Sequence, residues 1–407
     1  MESSAVTEIA NPLRGRHLVV VTQRYPMPVY PAGGVFVQEL VRALCVMGVH
    51  CSVIHPVSLL SNRLRSLPPK ITHEDWGGPQ RVKVIRPRVM TYSGRQVFTY
   101  NTFRLTYRSF LGGVRRAVRY LERPAELYYG HFLYAAGAAA VTMGHSAGVP
   151  SFAAAGESTL GLVERYGVER ARATYRHVTA VVANSSRNKR LVAERLGVAA
   201  DKIAVLPNGV DATRFYPRDR LEMRRKHSLP EDRFIVAFVG HFDDRKGSRR
   251  VDKALDGLDS VGAIYLGQGA MCPQAGNTLF AGSVPHDQIP ELLSAADAFV
   301  LPTLAEGCCN AIVEAMACGL PVISSDREFN DDLIDDATSI RIDPLDMGAI
   351  RRAVVALRDD TALRQRLADA SLARAAELDI NARARRIASW LQYHLDSSSV
   401  SPSRKTG

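Results

Sequence analysis

Apolar and polar positions along the chain follow two alternating periods. Leu18-Val-Val-Val-Thr22 is an unbroken β-prone run, of the kind that fills a strand buried on both faces. From Val35 to Met47 the apolar residues return every three or four positions, the spacing of a helix with one buried face. Cys51-Ser-Val-Ile-His55 predicts the next strand. Further strands are expected at Val82–Ile85, Glu126–Tyr129, Pro150–Ala154, Ala180–Asn184 and Ile203–Leu206, with helical patterns between most of them. Strands that alternate with helices in this way predict a parallel, doubly wound sheet.

The alternation pauses at Leu206-Pro-Asn-Gly-Val-Asp211 and Phe215-Tyr-Pro217, a turn-rich junction. It restarts with Phe234-Ile-Val-Ala-Phe-Val-Gly240. Strands are then expected at Val261–Leu266, Leu279–Ala281, Ala298–Leu301, Pro321–Ser324 and Ser339–Ile342. The 407 residues therefore divide into two blocks, each long enough for its own core, with a boundary near residue 212. An amphipathic helix is expected from about Ile380 to Leu395, and the end from Ser397 onward reads as disordered. No internal repeat is visible.

Composition changes this picture in three ways. No apolar run reaches the ~18 residues of a membrane-spanning helix, and Phe132 to Met143, the most apolar helical candidate, is too short. The N-terminal MESSAVTEIANPLRGRH has no apolar core of the secretory type, so a cytoplasmic location is expected. The six cysteines form no C-x-x-C pair and no zinc set with histidine, and read as buried thiols of a reduced protein.

The net charge of +11 suits phosphate-bearing ligands or other anions, and it is unevenly placed. Nine arginines lie between Arg86 and Arg123 with one acidic residue, Glu122, and with Tyr92, Phe98, Tyr100, Phe103, Tyr107, Phe110 and Tyr120 interleaved. Two readings stand. The segment is either a solvated helix face over buried aromatics, or a surface for an anionic acceptor or for peripheral contact with the inner face of an anionic membrane, the latter with Phe103, Tyr107 and Phe110 as anchors. No recognition motif for nucleic acid accompanies it.

Ligands of open α/β sheets bind beyond the carboxyl ends of the strands. Four loops there carry unusual residues. Gly33-Gly34 opens a helix and lets backbone N–H groups approach an anion. Arg245-Lys246 sits just before a helix start, a setting for a diphosphate leaving group. In Leu301-Pro-Thr-Leu-Ala-Glu306-Gly-Cys-Cys-Asn-Ala-Ile-Val-Glu314, one glutamate lies in a loop and the other on an otherwise apolar helix. That helix begins near Cys309–Ala311. Glu314 needs a partner there, which a ribose diol would supply. Gly130-His131 follows a strand end. The G-x-G-x-x-G fingerprint of dinucleotide-dependent oxidoreductases is missing.

The E-x7-E segment resembles the signature of the family 4 glycosyltransferases of the GT-B fold. Pro207-Asn-Gly-Val-Asp211, Val239-Gly-His…Arg245-Lys246-Gly247, Leu266-Gly-Gln-Gly269, Ala281-Gly-Ser-Val284 and Ala295-Ala-Asp-Ala-Phe-Val-Leu-Pro302 are similar to its other landmarks, in the same order, over about residues 17 to 395. The resemblance implies two Rossmann-like domains facing a central cleft. Residues 1–212 would bind the acceptor, 213–378 the nucleotide sugar, and a helix over about 379–396 would pack back on the first domain. It implies a retaining, metal-independent transfer from a nucleotide-diphosphate sugar, UDP-linked by preference. The acceptor hydroxyl would belong to a carbohydrate, lipid-linked or small-molecule acceptor, and no cofactor beyond the co-substrate is needed. Arg245 and Lys246 would hold the diphosphate, with Gly240, Gly307, Cys309, Asn310 and Ala311 lining it. Glu306 would sit by the sugar, Glu314 would bind the ribose, and backbone near Val284 would face the base. Gly33 and Gly34 would approach phosphate or acceptor, and His131 would contact the sugar near the reacting carbon. A GT-B sugar-nucleotide epimerase and a non-catalytic relative are the rivals.

Two departures stand out. The usual helix is shortened to Ala270–Asn277, and Phe329-Asn-Asp-Asp-Leu-Ile334 replaces a Gly-Gly segment, so Asn330 and Asp331 are expected to contribute to donor-sugar contacts.

Overall fold

A computed structural model describes residues 11–399, apart from 32, 61–66, 77–79, 93–95 and 98–99. The chain forms two compact units. One holds residues up to Ala183, Lys189–Leu206 and the chain from Ala384 on; the other holds Asn184–Asn188 and Pro207–Arg383.

The sheet of the first unit is built from β1 (His17–Thr22), β2 (His50–Ile54), β3 (Ile71–Glu74), β4 (Val82–Ile85), β5 (Leu127–His131), β6 (Ser151–Ala155), β7 (Ala180–Ala183) and β8 (Ile203–Val205). Its order is β8-β7-β6-β5-β1-β2-β4-β3. The pairs are parallel except β3 with β4. Every residue of β1 is buried, as its unbroken apolar run requires. The antiparallel edge strand β3 was not expected. Its Ile-Thr-His-Glu sequence is polar at all but its first position and carries none of the apolar run that marks the inner strands.

The second unit has β9 (Phe234–Val239), β10 (Val261–Leu266), β11 (Thr278–Gly282), β12 (Ala298–Leu301), β13 (Val322–Ser325) and β14 (Ser339–Ile342). They form a parallel sheet in the order β11-β10-β9-β12-β13-β14. Phe238, Tyr265 and Phe299, from its three central strands, are fully buried in one core. In each sheet the chain steps first to one side and then to the other, so each has a switch point: β1/β5 in the first, β9/β12 in the second.

The C-terminal helix runs from Ile380 to Ser399, so Ser397–Ser399 extend it rather than opening a disordered end; residues 400–407 lie outside the described residues. No helix among the described residues is long and apolar enough to cross a membrane. Five of the six free cysteines are buried, and Cys272 is half-buried.

Candidate functional site

In the second unit the loops leaving β9 and β10 are laced together. Gly240 N–H donates to Leu266 O, Phe242 N–H to Gln268 O, and Met271 N–H to Phe242 O, at 2.9–3.0 Å. The approach is so close that a Cβ on Gly267 would lie 1.9 Å from the Gly240 carbonyl oxygen. The β9 loop then turns back. Asp243 Oδ1 accepts from the Lys246 N–H at 2.8 Å, and Gly247, at φ 80°, starts the helix Ser248–Leu255. This turn carries Arg245 and Lys246 to the β9/β12 switch point.

The loop after β12 brings Glu306 to meet them. Glu306 Oε1 accepts from Arg245 Nη1 at 2.6 Å, from Lys246 Nζ at 2.7 Å and from Thr303 Oγ1 at 3.0 Å. Arg245 also donates to the Ala305 carbonyl at 2.8 Å. Lys246 and Glu306 are nearly buried, whereas Arg245 is 39% exposed and faces outward. Burial alone would lower the Lys246 ammonium. The sulfur of Cys309, 3.8 Å away, and the Glu306 carboxylate outweigh it and hold the lysine above its ordinary value. Two cations share one carboxylate, so the cluster is left with a formal positive charge.

Cys309 caps the helix Asn310–Ala317, which has no side-chain hydrogen bond at its N-cap. Its first N–H groups lie outside the intrahelical ladder and carry the positive end of the dipole. Asn208 Nδ2 donates to Asn310 Oδ1 at 2.6 Å and to the Cys308 carbonyl at 3.2 Å, which anchors that end. Gly307 and Cys309 are buried beneath it, and Asn310 and Ala311 are half-buried.

Glu314 lies farther along this helix, half-buried, with its Oε1 3.8 Å from His286 Nε2. Arg214 donates to His286 Nδ1 at 2.7 Å, so a neutral ring carries its proton on Nε2, toward Glu314. The partner that sequence required of a ribose is thus partly supplied by the protein. His286 was missed; its place two residues past Val284, in the loop after β11, was the available signal. Val284 itself is half-buried against the core.

Asn330 and Asp331, expected to contribute to donor-sugar contacts, are engaged within the fold. Asn330 is fully buried and donates through Nδ2 to the Ser325 carbonyl at 2.8 Å, while Asp331 pairs with Arg341 at 2.6 Å. Both bind their own fold. The segment Ala270–Asn277 is non-helical, held by Asp252, which accepts from the Gln274 and Ala275 N–H groups at 3.0 and 3.1 Å.

The first unit gathers Gly33, Gly34 and His131. Gly34, at φ 82°, precedes the helix Val35–Val46, and a Cβ there would lie 2.4 Å from the Arg24 carbonyl oxygen. Gly33 lies under the Tyr30 ring. Phe36, on the same helix, packs against His131 at a ring distance of 5.3 Å. His131 is not in a loop after the strand, as expected, but is the last residue of β5, in register with Thr22 and Ala154 and buried. The chain then passes through Phe132 at φ 76°, a region that non-glycine residues avoid. Three side chains that sequence did not single out hold the following turn. Glu157 accepts from Leu133 N–H, Tyr175 Oη donates to the Leu133 carbonyl at 2.6 Å, and Gln23 Oε1 accepts from Ala135 N–H at 2.9 Å. Burial pushes the Glu157 carboxyl up to about 7, against the backbone N–H groups that lower it.

Comparison with known proteins bears on what these loops do. The family model described as Glycosyltransferase Family 4 matches residues 33–214, and that of Glycosyl transferases group 1 matches residues 268–374. A Bacillus subtilis protein assigned to teichuronic acid biosynthesis as a glycosyltransferase is 25% identical over 359 residues, covering 86% of this chain and 91% of the relative. A GDP-mannose-dependent alpha-mannosyltransferase of Mycolicibacterium smegmatis is 30% identical over 240 residues, 55% of this chain and 60% of that one. Among solved structures, a sucrose-phosphate synthase from Thermosynechococcus elongatus superposes with a TM-score of 0.72 at 18% identity, covering 94% of this chain and all (100%) of that one. Anabaena HepE in complex with UDP gives 0.68 at 17% identity, covering 93% of this chain and 100% of that one.

Proposed function

The chain belongs to the family 4 glycosyltransferases of the GT-B fold, and from that premise we propose that it is a retaining, metal-independent enzyme that moves a sugar from a UDP-sugar to an acceptor hydroxyl. One observation carries this reading: Arg245 and Lys246, balanced among the described residues by Glu306, lie beside the start of Asn310–Ala317, which lacks a side-chain cap, at the switch point of the second sheet. A diphosphate brings the negative charge this cluster lacks and competes with Glu306 for both cations. The UDP held by the HepE relative favours uridine; the GDP-mannose named for the mycobacterial relative is the competing donor.

In the proposed reaction the bond from the anomeric carbon to the diphosphate breaks, and its electron pair goes to the phosphate oxygen. Arg245, Lys246 and the helix N–H groups stabilise that oxygen as charge builds on it. The acceptor oxygen bonds to the anomeric carbon on the same face, and its proton passes to the departing phosphate. No protein nucleophile takes part. Glu306, released from the cations, stands by the positively charged sugar; Glu314 and His286 take the ribose hydroxyls. Gly240, Gly307 and Cys309 to Ala311 line the phosphates, backbone at Val284 meets the base, and His131 contacts the sugar. Gly33 and Gly34 serve the acceptor side. The enzyme is proposed to act in the cytoplasm, with its arginine-rich segment against the anionic inner face of the membrane.

Nucleotide release from UDP-, GDP-, ADP- and dTDP-glucose, with excess EDTA present, tests the reading. UDP release should persist in EDTA. Lys246→Ala and Arg245→Ala should each lower turnover at least tenfold while melting near wild type, because leaving-group charge is largest in the transition state. Release that EDTA abolishes and magnesium restores would overturn metal independence. Normal turnover in both variants would remove the phosphate role.

A further inference from the structure

The first unit holds a cavity of about 270 Å³ beyond the carboxyl ends of β1, β2 and β5, against its own switch point. Met27, Val57, Val89 and Phe110 give it apolar walls; Gln23 and His55 add polar groups. None of the described residues that line it is acidic, lysine or arginine. The serine and threonine hydroxyls in its wall are already engaged. Ser58 and Thr91 share a hydrogen bond of 2.6 Å, and Thr106 Oγ1 accepts from the Tyr92 N–H at 2.8 Å.

Two polar groups are left over. His55 is buried, at 3% exposure, and its Nδ1 has no hydrogen-bond partner. Burial, and then the Arg86 guanidinium, push the ring down to about 4, so it is neutral at physiological pH; the Gln23 backbone also hydrogen-bonds the ring, which leaves Nδ1 as the atom open to a ligand. Gln23 spends its amide oxygen on Ala135 N–H, while its amide N–H₂ makes no hydrogen bond among the described residues. Arg86 does not line the cavity; it donates to Thr72 Oγ1 and to the Pro26 carbonyl, and Glu74 lies close enough to act on its charge.

An unsatisfied buried nitrogen in an apolar wall is destabilising unless a ligand completes it. A hydroxyl completes it in either tautomer of His55, and accepts from Gln23 as well. A phosphate or carboxylate finds no cation among the described wall residues to offset the loss of its water. We propose that this cavity binds the acceptor, and that the group it takes is an uncharged ring with an apolar face and at least one hydroxyl. The proposal rests on the glycosyltransferase reading for the acceptor role, and on the cavity itself for the ligand class. The +11 charge of the chain, which would suit an anionic acceptor, is thereby assigned to surfaces outside this cavity.

The full chain labelled with ¹³C-methyl methionine tests this. Met27 is one of nine methionines, and Met27→Leu identifies its resonance. Phenyl β-D-glucoside should move that resonance saturably, and phenyl phosphate should not. Val29→Trp, at a wall residue that is 44% exposed, should abolish the shift with the melting temperature retained. His55→Phe should weaken glucoside binding on the order of tenfold. A Met27 resonance that ignores the glucoside, or answers phenyl phosphate as strongly, overturns the assignment. Nucleotide release from a UDP-sugar with water as acceptor separates the two readings. Release with a silent Met27 sinks the cavity and spares the transferase. A responsive Met27 with no release from any nucleotide sugar keeps the ligand class and removes the acceptor role.

Discussion

Glu306 places three donors on one carboxylate oxygen, whereas Glu157 meets backbone N–H groups in a setting whose burial outweighs them. One carboxylate is paired with cations; the second, Glu157, is pushed toward its neutral form by burial. The second has a consequence for stability. Its folded value of about 7 exceeds the ordinary 4.5, so the folded state holds a proton that the unfolded chain has already released above pH 4.5. The stability present below pH 4.5 is therefore lost as pH rises from 4.5 to about 7. Glu157→Gln stays neutral throughout and keeps an oxygen for Leu133 N–H. Its melting temperature should match wild type at pH 4 and exceed it by roughly 3–8 °C at pH 8, the gap opening between those values. A constant gap from pH 4 to 8 would show that Glu157 ionises normally in the fold.

At the scale of elements, the lacing of the β9 and β10 loops fixes the cations, and it depends on glycine where a carbonyl passes close by. Gly267→Ala should cost about 1–3 kcal/mol, the range for forced overpacking, and should weaken UDP binding because the Gly240–Lys246 turn must shift. Gly276→Ala is the control: an added Cβ there meets nothing within 4 Å. Calorimetric melts and UDP titration of both variants decide it; equal behaviour would mean the loops adapt freely. The inner strands of both sheets were legible in sequence because a strand buried on both faces must be a continuous apolar run, as at β1 and β9. The landmarks around Arg245, Lys246, Glu306 and Glu314 were legible because loops at carboxyl ends carry charge for a reason. Pairings were not. That Glu306 would bind both cations and that His286 would meet Glu314 depend on contacts between segments far apart in sequence, where no periodicity speaks. Edge strand β3 escaped for the converse reason: half exposed to water, it needs no apolar run.

Across the whole molecule, charge is segregated. Arg104, Arg108, Arg115 and Arg119 are all exposed, the first three on the helix Phe103–Ala117, whereas Phe103, Tyr107 and Phe110 are buried in the core of the first unit. The aromatics therefore cannot serve as membrane anchors. Phe103 and Tyr107 stack around Tyr134 at ring distances of 4.7 and 6.0 Å and hold the helix to its own sheet instead. Arg95 and Phe98, from the same basic segment, lie outside the described residues. What the helix shows to solvent is a cationic face with Leu105 at its side, 43% exposed, and Tyr120 beyond its end, 56% exposed. Such a face binds by charge alone, with each arginine worth about 1 kcal/mol near an anionic surface and the sum falling within a Debye length. Association should thus be reversible and strongly dependent on salt. The protein should co-sediment with vesicles rich in phosphatidylglycerol at low ionic strength and leave them as salt rises to about 0.5 M. Changing Arg104, Arg108, Arg115 and Arg119 together to glutamate should abolish binding and leave nucleotide release from UDP-sugar intact, since none of the four belongs to the donor loops. Retention of the quadruple variant on the vesicles would move the contact elsewhere. Wild-type protein that stays in the supernatant at low salt would end the membrane reading and leave the arginines as a solvated face.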